Sequence, residues 1–332
     1  MSTITVGVLG AGRIGRLHTD NLLRMPDVRV KTVADPYVDF ADWPPDGIAT
    51  AAEPEFVLSD DEIDAVLICS PTPTHAPLTE AAAAAGKHVF CEKPIDLDPG
   101  RIRRTLDAVD RAGVKLQVGF NRRFDPTFAR VRQAVVAGDV GEVHIVKITS
   151  RDPQAPPVSY VRSSGGIFLD MTIHDFDMVR FLTGLEVVEV FAMGAVLIDP
   201  AIGDAGDVDT AITTVTMAGG ALAVIENSRQ AVYGYDQRVE VFGSSGSAEA
   251  GNETPNRVAV SSAAGVRTDN PLYFFLERYQ ASFVAELEAF FTCIRDDREP
   301  LVSGRDGLMS VLVGKAAARS MAESRPVRVE QP

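Results

Sequence analysis

Ile4-Thr5-Val6-Gly7-Val8-Leu9-Gly10-Ala11-Gly12-Arg13-Ile14-Gly15 is the stretch on which the fold turns. An apolar, partly β-branched run, Ile4 to Leu9, breaks into closely spaced glycines, and Arg16 to Met25 follow with helical spacing. The reading is strand, glycine turn, helix. Gly10 permits a tight turn, Gly12 lets the backbone approach a pyrophosphate, and Gly15 allows close helix–strand packing, with the phosphates at the helix N-terminus. Ala11, Arg13 and Ile14 lie within the same turn and join the glycines as candidate cofactor contacts. The next strand, Val28 to Ala34, ends in Asp35, about twenty residues past the last glycine, where a carboxylate accepts hydrogen bonds from an adenosine ribose. Between Lys31 and Lys87 there is no Lys or Arg to pair with a ribose 2′-phosphate. The expected cofactor is therefore NAD rather than NADP, with Arg13 the one residue positioned to reverse that preference.

Working outward, Tyr37 to Thr50 contains Pro44, Pro45 and Gly47, so a second crossover helix is expected to be short or absent. Ala65 to Cys69 reads as a buried parallel strand, followed by the proline-stiffened loop Ser70-Pro71-Thr72-Pro73-Thr74-His75. In a doubly wound sheet the carboxyl edge of the strands is where ligands lie, which makes Ser70, Pro71 and His75 candidates. Ala76 to Ala85 is an alanine-rich helix closed by Gly86. His88 to Cys91 is the next strand and delivers Glu92-Lys93-Pro94 to the same edge. Lys93 has two readings, a solvated loop charge or an amine held over the cofactor. Pro99 to Gly113 as helix and Val114 to Phe120 as strand complete a first domain of residues 1–120.

The second domain, residues 121–332, begins with a basic pair in Asn121-Arg122-Arg123-Phe124-Asp125, opening a helix to about Ala137. Val143 to Ser150, Val187 to Leu197, Thr210 to Met217, Ala221 to Arg229 and Arg238 to Phe242 alternate or run apolar at strand length. They predict a mainly antiparallel sheet. Within this half lies Gly165 to Arg180, GGIFLDMTIHDFDMVR, with three carboxylates and an imidazole in a mostly apolar segment. Read as one helix, it spaces Asp170, His174 and Asp177 at i, i+4 and i+7, on one face. Buried charges are costly unless paired or used, so the stripe is either a structural Asp–His pair or a catalytic site. Phe283 to Ile294 and Gly307 to Ala322 read as two further helices, the second able to return to the first domain.

Composition narrows the classes. A chain of 332 residues, 45% hydrophobic, suits two ordinary cores. A net charge of −14 argues against nucleic acid, which is held mainly by clustered Lys and Arg. The three cysteines, Cys69, Cys91 and Cys293, form no CxxC pair and stand near no zinc-spaced histidines, so neither a disulfide framework nor a metal site is expected. Met1 to Thr3 lead into the first strand without a charged n-region, and no run of about 18 apolar residues occurs. The expectation is a cytoplasmic protein with no membrane partner.

With GAGRIG at Gly10 to Gly15 followed by His18, CEKP at Cys91 to Pro94, GFNRRFD at Gly119 to Asp125 and SGGIFLDMTIHDFDM at Ser164 to Met178, the sequence resembles the Gfo/Idh/MocA oxidoreductases. Within that family it is most similar to the inositol 2-dehydrogenases. The resemblance covers essentially the whole chain. It implies an N-terminal Rossmann domain, a C-terminal α+β domain whose open sheet forms oligomer contacts in a homo-dimer or tetramer, and an active site in the cleft between them. It also implies roles: Glu92 and Lys93 in the family's EKP motif, Asp170 and His174 in its DxxxH segment, Asp177 as a further substrate-side acid, and Arg123, Asp152 and Tyr235 as polyol contacts.

Oxidising a secondary alcohol removes a proton from oxygen and a hydride from carbon, and NAD accepts only the hydride. His174, with an ordinary pKa of about 6.5, suits a general base. Asp170 can fix its tautomer and stabilise the charged ring. Lys93 can hydrogen-bond the reacting oxygen. The expected substrate is a cyclic polyol, first of all myo-inositol. The alternatives are another sugar, an amino sugar, or scyllo- or chiro-inositol; more remotely, a catalytically silent NAD-binding regulator. A metal-dependent hydrolase using Asp170, His174 and Asp177 as ligands leaves the glycine loop without a role.

Overall fold

The computed structural model describes residues 3–41 and 43–331. Met1 and Ser2, read above as part of the lead-in to the first strand, lie outside them. The chain forms two compact units.

The first unit holds residues 3–121 and 283–311. Its sheet runs β3-β2-β1-β4-β5-β6, from β1 (Ile4–Leu9), β2 (Val28–Ala34), β3 (Ala49–Ala51), β4 (Ala65–Ile68), β5 (His88–Cys91) and β6 (Leu116–Val118). Every pairing is parallel. The order reverses at β1 and β4, which puts a crevice at their carboxyl ends. Parallel strands covered on both faces must be apolar throughout, and β1 is buried at all six positions. Among the described residues no helix forms between β2 and β3, in line with the prolines at 44 and 45. The helix Gln280–Arg295 supplies Leu287, Phe290 and Phe291 to the core around Val6, Val8, Leu67 and Phe90. The sequence reading had assigned everything after residue 120 to the second domain, with the last helix as the returning element. Contact along the chain instead gives the first unit most of the penultimate helix and the start of the last, Gly304–Glu323.

The second unit holds Arg122–Ser282 and Leu312–Gln331. Its strands are β7 (Val143–Arg151), β8 (Val187–Ala195), β9 (Thr210–Met217), β10 (Leu222–Ser228), β11 (Asp236–Gly243), β12 (Gly246–Ala250) and β15 (Val327–Arg328). The hairpin β13 (Ala259–Ser262) and β14 (Gly265–Thr268) stands apart as a separate two-stranded sheet. The large sheet runs β12-β11-β7-β10-β9-β8-β15. It is mixed, because β7 and β10 pair in parallel, whereas the other pairs are antiparallel. The cause is the helical excursion between β7 and β8, which lets the meander β8-β9-β10 return beside β7 in the same direction.

Helices cover one face of this sheet. The other carries apolar side chains in register: Phe242 and Leu222 both pair with Ile145, and Met193 with Ile212, all five exposed. No helix among the described residues is long and apolar enough to cross a membrane.

Candidate functional site

In the first unit the glycine turn joins β1 to the helix Arg13–Leu22. Gly10 has φ +101°, and a Cβ there would come within 2.5 Å of the Ser70 amide nitrogen. A Cβ on Gly15 would lie 1.9 Å from the Gly10 carbonyl oxygen. These two glycines serve backbone conformation and packing. Gly12 differs. Its φ of −70° suits any residue and a Cβ would meet no atom within 4 Å. Neither conformation nor the neighbouring chain demands glycine there, while a diphosphate approaching the helix N-terminus does.

Asp35 accepts hydrogen bonds from the amides of Ala11 (2.8 Å, Oδ2) and Tyr37 (2.8 Å, Oδ1). It braces the turn, and since each carboxylate oxygen has more than one lone pair, acceptor capacity remains for a ribose diol. Arg13 is exposed, Ile14 half-buried, and Arg16 lies with its guanidinium carbon 4.9 Å from the Trp43 ring centroid. Ser70 bonds Thr74 through its hydroxyl (2.6 Å) and Pro71 is exposed. His75 is buried, with Nδ1 2.7 Å from the Pro94 carbonyl oxygen and Nε2 2.6 Å from that of Ser70. Lys93 is partly buried.

In the second unit the segment read as one helix is two. Gly166–Asp170 ends, and Ile173–Thr183 begins, around a wide turn in which the amides of Met171 and Thr172 both donate to Ile167 O (3.0 and 2.9 Å). Thr172 Oγ1 turns to Asn227 Oδ1 at 2.9 Å. Asp170 therefore sits at the end of one helix, and His174 and Asp177 on the next, so the three do not stand on one continuous helix. Asp170 accepts from Tyr160 Oη (2.8 Å) and from Arg229 Nη1 (3.2 Å). Arg229 is wholly buried and also reaches Asp207 (3.3 Å).

The two adjacent arginines diverge. Arg123 grips Asp177 through two hydrogen bonds, Nε to Oδ2 at 2.8 Å and Nη2 to Oδ1 at 2.6 Å. Arg122 donates to Asp175 (2.6 Å), Ser150 (3.3 Å) and Tyr235 (3.5 Å). Asn227 Nδ2 completes the shell of Asp175 at 2.7 Å. Burial raises the Asp175 carboxyl, while Arg122 and Asn227 pull it the other way. Asp152 is pushed up to about 6, by burial first and then by the charge of Asp170, with Arg229 and Arg122 opposing. The structure thus gathers Asp152, Asp170 and Tyr235 with Arg122 and Arg229 in one electrostatic neighbourhood, and holds Arg123 and Asp177 as a pair of their own.

Sequence reasoning missed Arg122, Asp175, Asn227 and Arg229. Arg122 and Asp175 carried a signal, one as half of the basic pair and the other as the carboxylate off the assumed stripe. Asn227 and Arg229, near a strand end, carried none.

The chain belongs to the Gfo/Idh/MocA oxidoreductase family. Residues 4–120 match the model of the oxidoreductase family with NAD-binding Rossmann fold, and residues 128–249 that of the GFO/IDH/MocA C-terminal domain. It is an NAD-dependent dehydrogenase acting on CH–OH donors.

Within the family it is most like the inositol 2-dehydrogenases. It is 48% identical to myo-inositol 2-dehydrogenase of Thermotoga maritima, over 98% of each chain. It is 49% identical to inositol 2-dehydrogenase of Rhizobium meliloti, over 98% of this chain and 99% of that one. The solved structure of scyllo-inositol dehydrogenase from Lactobacillus casei with bound cofactor NAD(H) and scyllo-inositol superposes with a TM-score of 0.92. There the identity is 30%, covering 98% of this chain and 99% of the other.

Proposed function

We propose that this dehydrogenase oxidises a secondary hydroxyl of a cyclic polyol, myo-inositol first, to the 2-keto compound, with His174 as general base. The observation that carries the substrate class is the near-full-length similarity, at 48–49% identity, to two inositol 2-dehydrogenases. The side chains of the second unit are compatible with it. A neutral ring with several hydroxyls can donate to carboxylates and accept from guanidinium groups, whereas a hydroxy acid would meet repulsion from Asp152 and Asp177.

Bound NAD takes the hydride. In this reading the chain handles the proton and the orientation: His174 takes the hydroxyl proton, and Asp170, its own charge balanced by Arg229, stabilises the imidazolium. Lys93 donates to the reacting oxygen. Asp152, Asp177 and Tyr235 serve neighbouring hydroxyls, with Arg123 orienting Asp177 through their two-point contact. The two hydrogen bonds from Arg123 leave Asp177 lone pairs for a hydroxyl. The apolar row Phe242, Ile145 and Leu222 on the open sheet supports a homo-oligomer formed through that face. The cytoplasm is the compartment that suits a nicotinamide-dependent reaction.

The test is a panel of inositols, aldoses, amino sugars and hydroxy acids with NAD and NADP, read as absorbance of reduced cofactor. Myo-inositol is expected to give the highest kcat/KM. With Asp35 facing the ribose and no basic residue soon after it, NAD is expected to exceed NADP by at least about tenfold, roughly 1.4 kcal/mol. Turnover of an aldose or hydroxy acid without turnover of any inositol would sink the substrate assignment. Equal use of NADP would show Arg13 outweighing Asp35.

A further inference from the structure

The residues on either side of Lys93 are each held by a buried histidine. His18, wholly buried on the helix Arg13–Leu22, places Nε2 2.9 Å from Glu92 Oε1. Its ring meets Phe90 and Phe283 edge-on, with centroids 5.2 and 5.7 Å away. Gly119 leaves room for the partner, since a Cβ there would come within 3.1 Å of the Glu92 carboxylate. On the other side, His75 Nδ1 approaches the Pro94 carbonyl at 2.7 Å. The backbone is tied as well, with Glu92 N donating to Ile68 O at 3.0 Å.

Beside Glu92, on the same side of the His18 ring, stands Glu286, 0% exposed, with Oε1 4.0 Å from His18 Nε2. Neither of its carboxyl oxygens has a hydrogen-bond partner among the described residues. An ionised carboxylate in that position would be left uncompensated beside Glu92, and burial together with the Glu92 charge pushes the Glu286 carboxyl well up. As a neutral acid it adds no second negative charge. A carboxylate only accepts, so His18 Nε2 carries the proton toward Glu92. Both carboxyl groups thus face the same imidazole nitrogen, Glu92 as the hydrogen-bond acceptor and Glu286 as a neutral neighbour.

We propose that His18 and His75 are positioning residues for Lys93: they anchor the Glu92-Lys93-Pro94 tripeptide on both sides and so present the lysine amine in one place. This rests on the role given to Lys93 above. The same His18, Glu92 and Glu286 atoms lie within 4.8 Å of one another, a donor set that a divalent cation would also accept. The two uses differ in what they predict.

The experiment is a mutant cycle on the full-length enzyme with NAD and myo-inositol. His18→Leu is expected to lower kcat roughly ten- to a hundredfold while KM for NAD changes less than about threefold. His18→Gln, whose amide can still donate to Glu92, is expected to recover at least about half of that loss on a logarithmic scale. In a Lys93→Ala background, His18→Leu is expected to cost less than about threefold more, because the residue it positions is already gone. Additive losses, wild-type kcat in a folded His18→Leu enzyme, or a divalent metal retained stoichiometrically after chelator dialysis would each overturn the proposal. If His18→Leu does not fold, Glu92→Gln and His75→Gln enter the same cycle with the same expectations. Wild-type turnover by Lys93→Ala alone instead sinks the role of Lys93 itself, a result separable from the others.

Discussion

The glycine turn of the first unit and the arginine-carboxylate layer of the second do their work by opposite means. In the turn, the proposed cofactor site rests on the backbone: Gly10, Gly12 and Gly15 act through what they lack, within six consecutive residues. In the second unit the proposed site rests on side chains brought from far apart in the chain, with Arg122 meeting Asp175 across 53 positions and Tyr235 across 113. A site built from local backbone geometry leaves a compact signature, while a site built from paired side chains leaves residue types without their partners. The first kind tolerates no Cβ in the wrong place. The second tolerates no loss of one partner without the other.

The sharpest test of that contrast is at the proposed base. His174→Ala is expected to lower kcat by about two to four powers of ten while NAD affinity, supplied by the first unit, changes by less than about threefold. Stopped-flow turnover beside calorimetric NAD titration measures both. If turnover survives, the histidine is structural and the second unit loses its assigned chemistry.

Within the turn, the structure separates two glycines that the sequence pattern treats alike. Gly15→Ala forces a Cβ toward the Gly10 carbonyl and is expected to lower Tm by several degrees, about 1–3 kcal/mol. Gly12→Ala meets no protein atom, so Tm should move by no more than about 2 °C while NAD binds about tenfold or more weakly. Parallel thermal melts and NAD titrations decide it. A large Tm loss at Gly12 with intact affinity would mean its glycine serves the fold rather than the cofactor.

The smallest expected effect concerns Asp152. Its folded pKa of about 6 lies above the ordinary 3.8, so the fold prefers the protonated form. The stability this contributes is present below about pH 4 and is lost as pH rises through about 6. Asp152→Asn removes the charge that the fold disfavours, and should raise Tm by a few degrees at pH 8, about 1–3 kcal/mol, and leave it unchanged near pH 4. Melts at the two pH values check the sign. An equal shift at both would place the effect in packing instead of ionisation.

How far the molecule was legible follows from the same contrast. The Rossmann unit was read through nearly every strand, because buried parallel strands are continuous apolar runs punctuated by glycine and proline. In the second sheet Thr210–Met217 was read residue for residue, since Thr, Ile and Val fill six of its eight positions. Val327–Arg328 and Gly246–Ala250 were missed, one too short and the other too poor in apolar residues to carry a period. The parallel pairing of β7 with β10 depends on a return path no local pattern encodes. For the site, residue types were legible and partnerships were not. Nothing in the sequence told Arg122, which reaches Asp175 and Tyr235, from Arg123, which pairs with Asp177, and a straight helix was drawn through Asp170 and His174 where the turn at Met171 and Thr172 divides it.

Arg122 and Arg123 stand on a tight turn, Asn121–Phe124, where successive side chains point about 120° apart. Asp175 and Asp177, two positions apart on an α-helix, diverge by about 200°. The four residues thus interlock like a two-pin plug and socket. Losing one pin strands a buried charge, at about 3–5 kcal/mol, and a one-residue deletion in the turn would rotate both pins away from their contacts. For anyone reshaping this enzyme toward a new substrate, the four positions form a single unit of variation. A library that changes them one at a time will strand a buried charge at each step, whereas one that changes each arginine together with its carboxylate leaves none unpaired.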